Sequence, residues 1–464
     1  MSTYRDQALY QLGEIHFQQK KYDDAIRDYQ TLISQQATSS FVPAAWYGIA
    51  AAQFEKADYP SAVNSLNTLV NAHPQAAITP RGKYLRGLSQ LRLGQHQAGL
   101  QDLTEFIAAK PPEADLLGAR FALARCQIGL TQFDAAIAGL NALLAEKPDY
   151  ERADDVYYEV AFAYLATSKP KEAADAFRTL AQKLPASPRA AESWYRVGEY
   201  LDTQNQMPEA AAAYVAGLTS PPEPAVREKL YYKLGTVQHK QKQHAVAVIT
   251  LDAQLKEFPA DDLAFAASYL AGESLYAQDK FQEALTRLSE VAASVDPKAL
   301  EFRARSLYRC GTCAANLKQW AVSQQHYTAL IAQFPKFELL GDARYGLGMA
   351  LQSDNKLDEA KVVFKQAIDA EPNSETAMKS WFMTGQCWFA QKKYSEAIDC
   401  FSEVAFGFKH EEWQPLSYFE AGRCYIQLND PAAARKMLTT VVEEFPKHER
   451  VHDAKTILAQ LDKS

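Results

Sequence analysis

The segment Cys310-Gly311-Thr312-Cys313 has the spacing with which two thiolates can share a metal ion. A closed zinc site, however, needs about four converging ligands. Cys126, Cys313, Cys387 and Cys424 instead recur at one slot of a long internal period, a slot filled elsewhere by Ile15, Ala52, Ser89 and Ala163. A slot shared by cysteine and small or apolar residues is a packing slot, where free cysteine acts as a small hydrophobe. Cysteines one period apart on neighbouring helices also stand ~9–10 Å or more apart. The expectation is packing, with no metal and no cofactor. Six cysteines in 464 residues are too few for a disulfide framework. The nine histidines (His16, His73, His96, His239, His244, His326, His410, His448 and His452) form no HExxH pair. No Walker loop, GxGxxG or GxSxG motif is present either, so the chain is expected not to be an enzyme.

Two other sets of residues could do chemistry of recognition. An aromatic recurs with the same period at Tyr10, Tyr47, Tyr84, Phe121, Tyr158, Tyr195, Tyr232, Tyr269, Tyr308, Tyr345, Phe382 and Phe419. Such rings offer large contact area at little rotamer entropy. Charge alternates along the chain: Arg81, Arg92 and Arg125, with Arg86 and Arg120 close by, are followed by Asp155, Glu192, Glu199 and Asp202, and then by Lys229, His239 and Lys240. Guanidinium forks match carboxylates. Trp413, in Lys409-His410-Glu411-Glu412-Trp413-Gln414-Pro415, is either an exposed contact point or a cap on the hairpin beneath it.

The elements that must position these residues follow from the period, which is sought before any other pattern. Steps of 37 residues from Gly13 reach Ala50, Gly87, Ala124, Ala161, Gly198, Gly235 and Gly272. A step of 39 reaches Gly311, and steps of 37 continue to Gly348, Gly385 and Gly422. With this slot numbered eight, slot twenty is always small, as at Ala25, Gly99, Ala210, Ser323 and Ala434. Slot twenty-four is always bulky: Tyr29, Leu66, Leu103, Leu140, Phe177, Tyr214, Leu251, Leu288, Tyr327, Phe364, Phe401 and Leu438. Slot thirty-two is proline at Pro74, Pro111, Pro148, Pro185, Pro222, Pro259, Pro335, Pro372 and Pro446, and Ala37, Asp296 or Lys409 in the other three repeats. Small residues let two helices cross closely, and the bulky slot fills the space beside the crossing. Proline ends the second helix, because it lacks an N–H and disfavours helix just before itself. Apolar residues between the marks follow three-and-four spacing, as in Leu9, Leu12 and Ile15. Each unit therefore reads as a helix–turn–helix hairpin.

The pattern resembles the tetratricopeptide repeat, which has Trp at slot four (here Trp46, Trp194 and Trp381), a Gly-type residue at eight, Ala at twenty and Pro at thirty-two. The resemblance covers residues 6 to 446. The period of 37, with extra residues after the proline, is similar to bacterial cell-envelope repeat proteins of the Tol–Pal-associated and barrel-assembly lipoprotein types; Leu184-Pro185-Ala186-Ser187, Phe334-Pro335 and Phe445-Pro446 fit their usual ending. The resemblance implies an all-α fold, a right-handed superhelical α-solenoid of about twelve helical hairpins over residues 1–446, with a seam or bend near 291–300. Residues 447–464, including Lys447, His448, Arg450, Asp453, Lys455, Asp462 and Lys463, then form a C-terminal capping helix. It also implies that slots two, five, nine, twelve and thirteen face a concave groove. In that groove the aromatic slot five is either a ladder gripping a partner segment or packing against the next repeat. The section with Arg81, Arg92 and Arg125 either binds an acidic segment or is a solvated face of mixed charge. A carboxylate clamp built on lysine and asparagine at slots five and nine is not expected, since slot five is always aromatic and no repeat has asparagine at nine.

Composition narrows the classes further. A net charge of −7, with 23% charged residues, gives no concentrated basic face for nucleic acid. No stretch approaches the ~20 apolar residues of a membrane helix, so no membrane insertion is expected. The opening Met1-Ser2-Thr3-Tyr4-Arg5-Asp6 has no apolar run or cleavage site. As written, the chain is expected in the cytoplasm; removal of an N-terminal leader would make it periplasmic. The expected function is a non-enzymatic scaffold or adaptor that takes a protein or peptide in its groove. The alternatives are a self-assembling array, a subunit of a cell-envelope complex and, further off, a regulatory subunit of an enzyme. Partner, pathway, oligomeric state and membership in a longer parent chain stay open.

Overall fold

The structure, a computed structural model, describes residues 4–221 and 223–462; Met1, Ser2, Thr3, Pro222 and Lys463, named above, lie outside them. Among the described residues there are twenty-five α-helices and no strand. The first hairpin joins Arg5–Gln18 to Tyr22–Gln35, and the pattern repeats to Trp413–Gln427 with Pro431–Glu444, followed by the last helix, Val451–Leu461.

The turn inside each hairpin is the same twelve times. Slot fifteen has a positive φ in every repeat, from Lys20 (φ 60°) through Gly94 (φ 72°) to Asn429 (φ 57°). The next N–H then bonds back to the carbonyl five residues earlier, as Lys21 N–H does to His16 C=O (2.9 Å) and Asp430 N–H to Tyr425 C=O (2.9 Å). This is the Schellman closure, which satisfies carbonyls left open at a helix end. At the other end of the hairpin, the residue before the slot-thirty-two proline leaves the helical region, as at Leu184 (φ −127°, ψ 61°) and Phe334 (φ −129°, ψ 64°).

Slots eight and twenty-four meet face to face. A Cβ on Gly13 would lie 2.5 Å from Tyr29 Cε1, and one on Gly385 would lie 2.6 Å from Phe401 Cε1. All nine slot-eight glycines, Gly198 and Gly422 among them, meet the slot-twenty-four side chain of their own hairpin in this way. Tyr29, Leu66, Leu103, Leu140, Tyr214 and Phe401 are fully enclosed there.

The chain divides into two compact units, Met1–Leu230 and Tyr231–Ser464, and the division falls within the helix Pro224–Lys240. In the first unit the first helices of successive hairpins (Arg5–Gln18, Val42–Glu55, Thr79–Arg92, Glu113–Gly129 and Ala153–Ala166) touch one another in order. In the second unit Ala264–Tyr276, Leu300–Asn316, Leu340–Ser353, Glu375–Ala390 and Trp413–Gln427 do the same. No two successive second helices make comparable contact among the described residues. A row that is closer on one side bends towards that side, so within each unit the first helices form the inner wall.

The two inserted residues of repeat eight are taken up by a 3-10 turn, Pro297–Ala299, capped by the Asp296 carboxylate on Lys298 N–H (2.8 Å). At the C-terminus, Ala454 is buried and Ile457, Leu458 and Leu461 pack on the last hairpin. His452, Lys455 and Gln460 are exposed. Ala459, in register with slot eight, is exposed.

Candidate protein-binding wall

Slot five lies on the inner wall and its rings lean into their own hairpins. Tyr10, Tyr158, Tyr195, Tyr308, Tyr345 and Phe382 each contact the slot-twenty-four ring of the same repeat, at centroid distances from 5.3 Å (Phe382–Phe401) to 6.3 Å (Tyr195–Tyr214). Tyr84 stacks on Phe106 at 4.8 Å. The nine tyrosines (Tyr10, Tyr47, Tyr84, Tyr158, Tyr195, Tyr232, Tyr269, Tyr308 and Tyr345) remain half-buried, whereas Phe121, Phe382 and Phe419 are buried. Residue type thus follows exposure: a hydroxyl is kept where the ring edge still meets water. Two hydroxyls are held by wall carboxylates, Tyr158 by Glu192 (2.8 Å) and Tyr195 by Glu199 (2.8 Å). Burial first, and these carboxylates second, push the phenols up, to about 12 for Tyr158. Burial also leads in raising Tyr10, Tyr84 and Tyr269 to about 12. The hydroxyls therefore stay protonated donors at any physiological pH.

The residues after the proline provide a roof for these rings. Slot thirty-six packs over slot five of its own repeat: Phe41 stacks on Tyr10 (5.2 Å), and Trp413 meets Phe382 edge-on (5.1 Å). The guanidinium carbons of Arg152, Arg189 and Arg450 lie 4.6, 4.2 and 5.5 Å from the rings of Phe121, Tyr158 and Phe419. Trp413 is accordingly a half-buried cap on its hairpin and begins the helix Trp413–Gln427. The sequence reading missed the other roof residues. Their signal was the three-residue excess of the period, followed down one slot.

Wall charges are largely engaged with one another. Arg81, 57% exposed, pairs with Asp115 (3.1 Å), and Arg125 pairs with Glu159 (3.3 Å). Arg92 is exposed and has no ion-pair partner among the described residues. Arg86 turns away from the wall to a bidentate bond with buried Asp102 (2.6 and 2.7 Å), and Arg120 pairs with Glu146. Arg81 and Arg92 share one helix, and Arg125 lies on the next first helix. Asp155 sits between Arg152 (2.8 Å) and Arg189 (2.5 Å). Burial pushes its carboxyl up, but the two arginines outweigh burial and hold it below the usual range. For Glu159 burial wins over Arg125, and its carboxyl is raised. Lys229 lies in the first unit, while His239 and Lys240 lie in the second. His239 Nδ1 is hydrogen-bonded to Ser274 Oγ (2.8 Å), and burial leads in lowering its pKa.

All six cysteines are buried and free. Burial pushes the thiols of Cys126, Cys310 and Cys387 up to about 11, and those of Cys313, Cys400 and Cys424 to about 12. They fill helix-packing slots as protonated, apolar groups.

Known families match the chain in pieces. A tetratricopeptide-repeat family model matches residues 161–223 and 345–409, and a second tetratricopeptide-repeat model matches 388–458. A family described as an outer membrane lipoprotein matches residues 3–117. No curated protein sequence matches significantly. Among solved structures, yeast Tom70 is similar at 15% identity, over 94% of this chain and 99% of that one, with a TM-score of 0.33. YrrB, described as a tetratricopeptide-repeat protein with an unusual peptide-binding site, is similar at 20% identity, over 44% of this chain and 97% of that one, with a TM-score of 0.36. The Cut9–Hcn1 hetero-tetramer of APC/C is similar at 13% identity, over 98% and 96%, with a TM-score of 0.34. The hairpin register, the contact of slot eight with slot twenty-four and the family matches agree: the chain is a tetratricopeptide-repeat protein.

Proposed function

We propose that this protein is a non-enzymatic scaffold whose inner walls hold segments of partner proteins. The observation that carries the reading is slot five: aromatic in all twelve repeats, and a half-buried tyrosine wherever no buried phenylalanine takes its place. Rings anchored in their own hairpins are already ordered, so covering them costs the wall little side-chain entropy. Protonated hydroxyls other than those of Tyr158 and Tyr195, which already donate to wall carboxylates, can donate to the carbonyls of an extended segment.

The section with Arg81, Arg92 and Arg125 is proposed to take an acidic segment. Arg92 is free to pair, and the exposed Arg81–Asp115 pair is of a kind typically worth only about 0–1 kcal/mol. An incoming carboxylate can exchange with Asp115 at little cost. The test is a pull-down from native extract with the full chain and with a triple variant, Arg81→Glu, Arg92→Glu and Arg125→Glu, quantified by mass spectrometry. Loss of a reproducible set of partners with unchanged helical circular dichroism is expected. An identical partner set for both proteins sinks the reading.

The match of residues 3–117 to an outer membrane lipoprotein family supports a place in a cell-envelope complex. Six buried, protonated thiols suit an oxidising compartment, because the thiolate is the reactive form. Fractionation of the native host, with detection of this chain, should find it in the envelope or periplasmic fraction; recovery in the cytosol alone removes this part of the proposal.

A further inference from the structure

Slot four is large in eleven of the twelve repeats, among them Trp46, Lys83, Arg120, Tyr157, Trp194 and Trp381. In repeat eight it is Ser268. In repeats three, four and ten the slot-four side chain reaches the second helix of its own hairpin. Lys83 Nζ pairs with Glu105 (2.6 Å) at slot twenty-six, Arg344 bonds the Gln366 carbonyl (3.3 Å) at the same slot, and Arg120 pairs with Glu146 one turn on. In repeat eight the space is open. A cleft of about 830 Å³ lies around Ser268, between the second helices His244–Glu257 and Phe281–Ala293. That is within the ~300–1,000 Å³ range of pockets that hold ligands.

The chemistry of the cleft is uneven. Val248, Leu255, Phe265, Leu275 and Val291 give it apolar walls. Four carboxylates line it, against a single cation. That cation, Arg287, is engaged by Asp252 (2.7 Å). Nearby Lys298 is engaged by Asp262 (2.6 Å), and Asp296 caps the following turn. Glu283 and Glu290 are exposed and have no partner among the described residues. Glu290 occupies slot twenty-six of repeat eight, the slot from which Glu105 receives Lys83 in repeat three. The acceptor is present and its cation is missing.

We propose that this outer-face cleft docks a partner segment that inserts a lysine or arginine side chain into the space vacated at Ser268, with its cation on Glu290 and its stem along the apolar walls. The pairing of Lys83 with Glu105 is the internal template for the geometry. Long basic side chains suit such a site, since they bury an apolar stem while their charged head meets the rim. The site lies between second helices, away from the inner wall, so it can be filled together with the wall.

Fluorescence anisotropy with the full chain tests this. The probe is a fluorescein-labelled hexapeptide alternating leucine and arginine, with the leucine–glutamate peptide as control. The arginine peptide is expected to bind the unaltered chain at least tenfold more tightly than the glutamate peptide. Ser268→Lys supplies the missing cation from within and should weaken that binding at least tenfold. Glu290→Lys, at an exposed residue that does not threaten folding, should do the same. Equal affinity of the arginine peptide for the unaltered chain and Glu290→Lys overturns the proposal, as does equal binding of the two peptides. Sedimentation that reveals a dimer lost in Glu290→Lys also overturns it, by assigning the cleft to a second copy of the chain.

Discussion

Thr131 adopts φ 58° at slot fifteen, a region that β-branched residues rarely enter. The Schellman turn fixes this conformation in all twelve repeats, yet only repeat three has glycine there, Gly94. Thr131→Gly should therefore stabilise the protein, by about 0.5–1 kcal/mol net of the extra freedom gained by the unfolded chain. Gly94→Ala should destabilise by about 1 kcal/mol through backbone strain alone, since nothing lies within 4 Å of the added Cβ. Urea midpoints of the two variants should move in opposite directions. Gly198→Ala meets a different obstacle, because its Cβ would collide with the Tyr214 ring. The expected cost is about 1–3 kcal/mol, with lost packing around that ring. Repeat five, which carries Ala161 against Phe177, shows that the slot accepts a methyl when its partner ring is set to receive one. Gly198→Ala paired with Tyr214→Phe should leave most of the cost, since the clash is with ring carbons and not with the hydroxyl.

At the scale of the helix, burial controls the chemistry of the thiols. A thiol raised to about 11 or 12 carries almost no thiolate near pH 8. Iodoacetamide at about that pH should label none of the six cysteines in the folded chain and all six in concentrated guanidinium chloride, as read by intact mass; native labelling at Cys310 or Cys313 would contradict the packing role. The same shifts set an alkaline limit. Unfolded thiols lose their protons near pH ~8.5, whereas the folded ones keep theirs to about 11, so above ~8.5 the unfolded state binds fewer protons and stability falls as pH rises. The denaturation midpoint should decline steadily between those values and hold level just below them. Much of this layer is legible in the sequence. The cysteines' recurrence at slot ten, the small slots eight and twenty and the bulky slot twenty-four all follow from one requirement, that two helices cross closely. What the sequence does not display is the turn. Slot fifteen is Lys, Ala, Gly, Thr, Ser, Asn or Asp, because the backbone hydrogen bonds impose its conformation and no side chain is selected for it. The roof over slot five is equally hard to see, as phenylalanine, tryptophan and arginine all cover a ring. The cleft at Ser268 leaves its mark as one small residue in a column of large ones, a departure visible only when slot four is followed through every repeat.

For the whole molecule, stability built from neighbouring hairpins should survive division of the chain. Core clusters centred on Tyr29, Leu66, Phe106 and Phe121 lie wholly within the first unit, and those centred on Leu251, Leu288, Tyr327 and Phe401 lie wholly within the second. The division falls just after the proline-rich run Ser220-Pro221-Pro222-Glu223-Pro224, which keeps the 37-residue period and so leaves no trace in the spacing. For a fragment that ends there, the chain contains a terminal helix that can be grafted on, Val451–Leu461. Pro222 and Pro446 occupy the same slot, so residues 447–464 can follow residue 222 in register and set Ile457, Leu458 and Leu461 against the sixth hairpin as they sit against the twelfth. Nearest-neighbour stacking predicts that residues 1–222 joined to 447–464, and separately residues 224–464, each give a helical circular dichroism spectrum and a cooperative melt. The capped first fragment should be the more soluble of two otherwise identical pieces made with and without residues 447–464. A helical signal that collapses in both fragments, or strong binding of a hydrophobic dye by the capped one, would show that folding depends on contacts beyond adjacent hairpins, and slots eight and twenty-four would then explain the local crossings without explaining what holds the stack together.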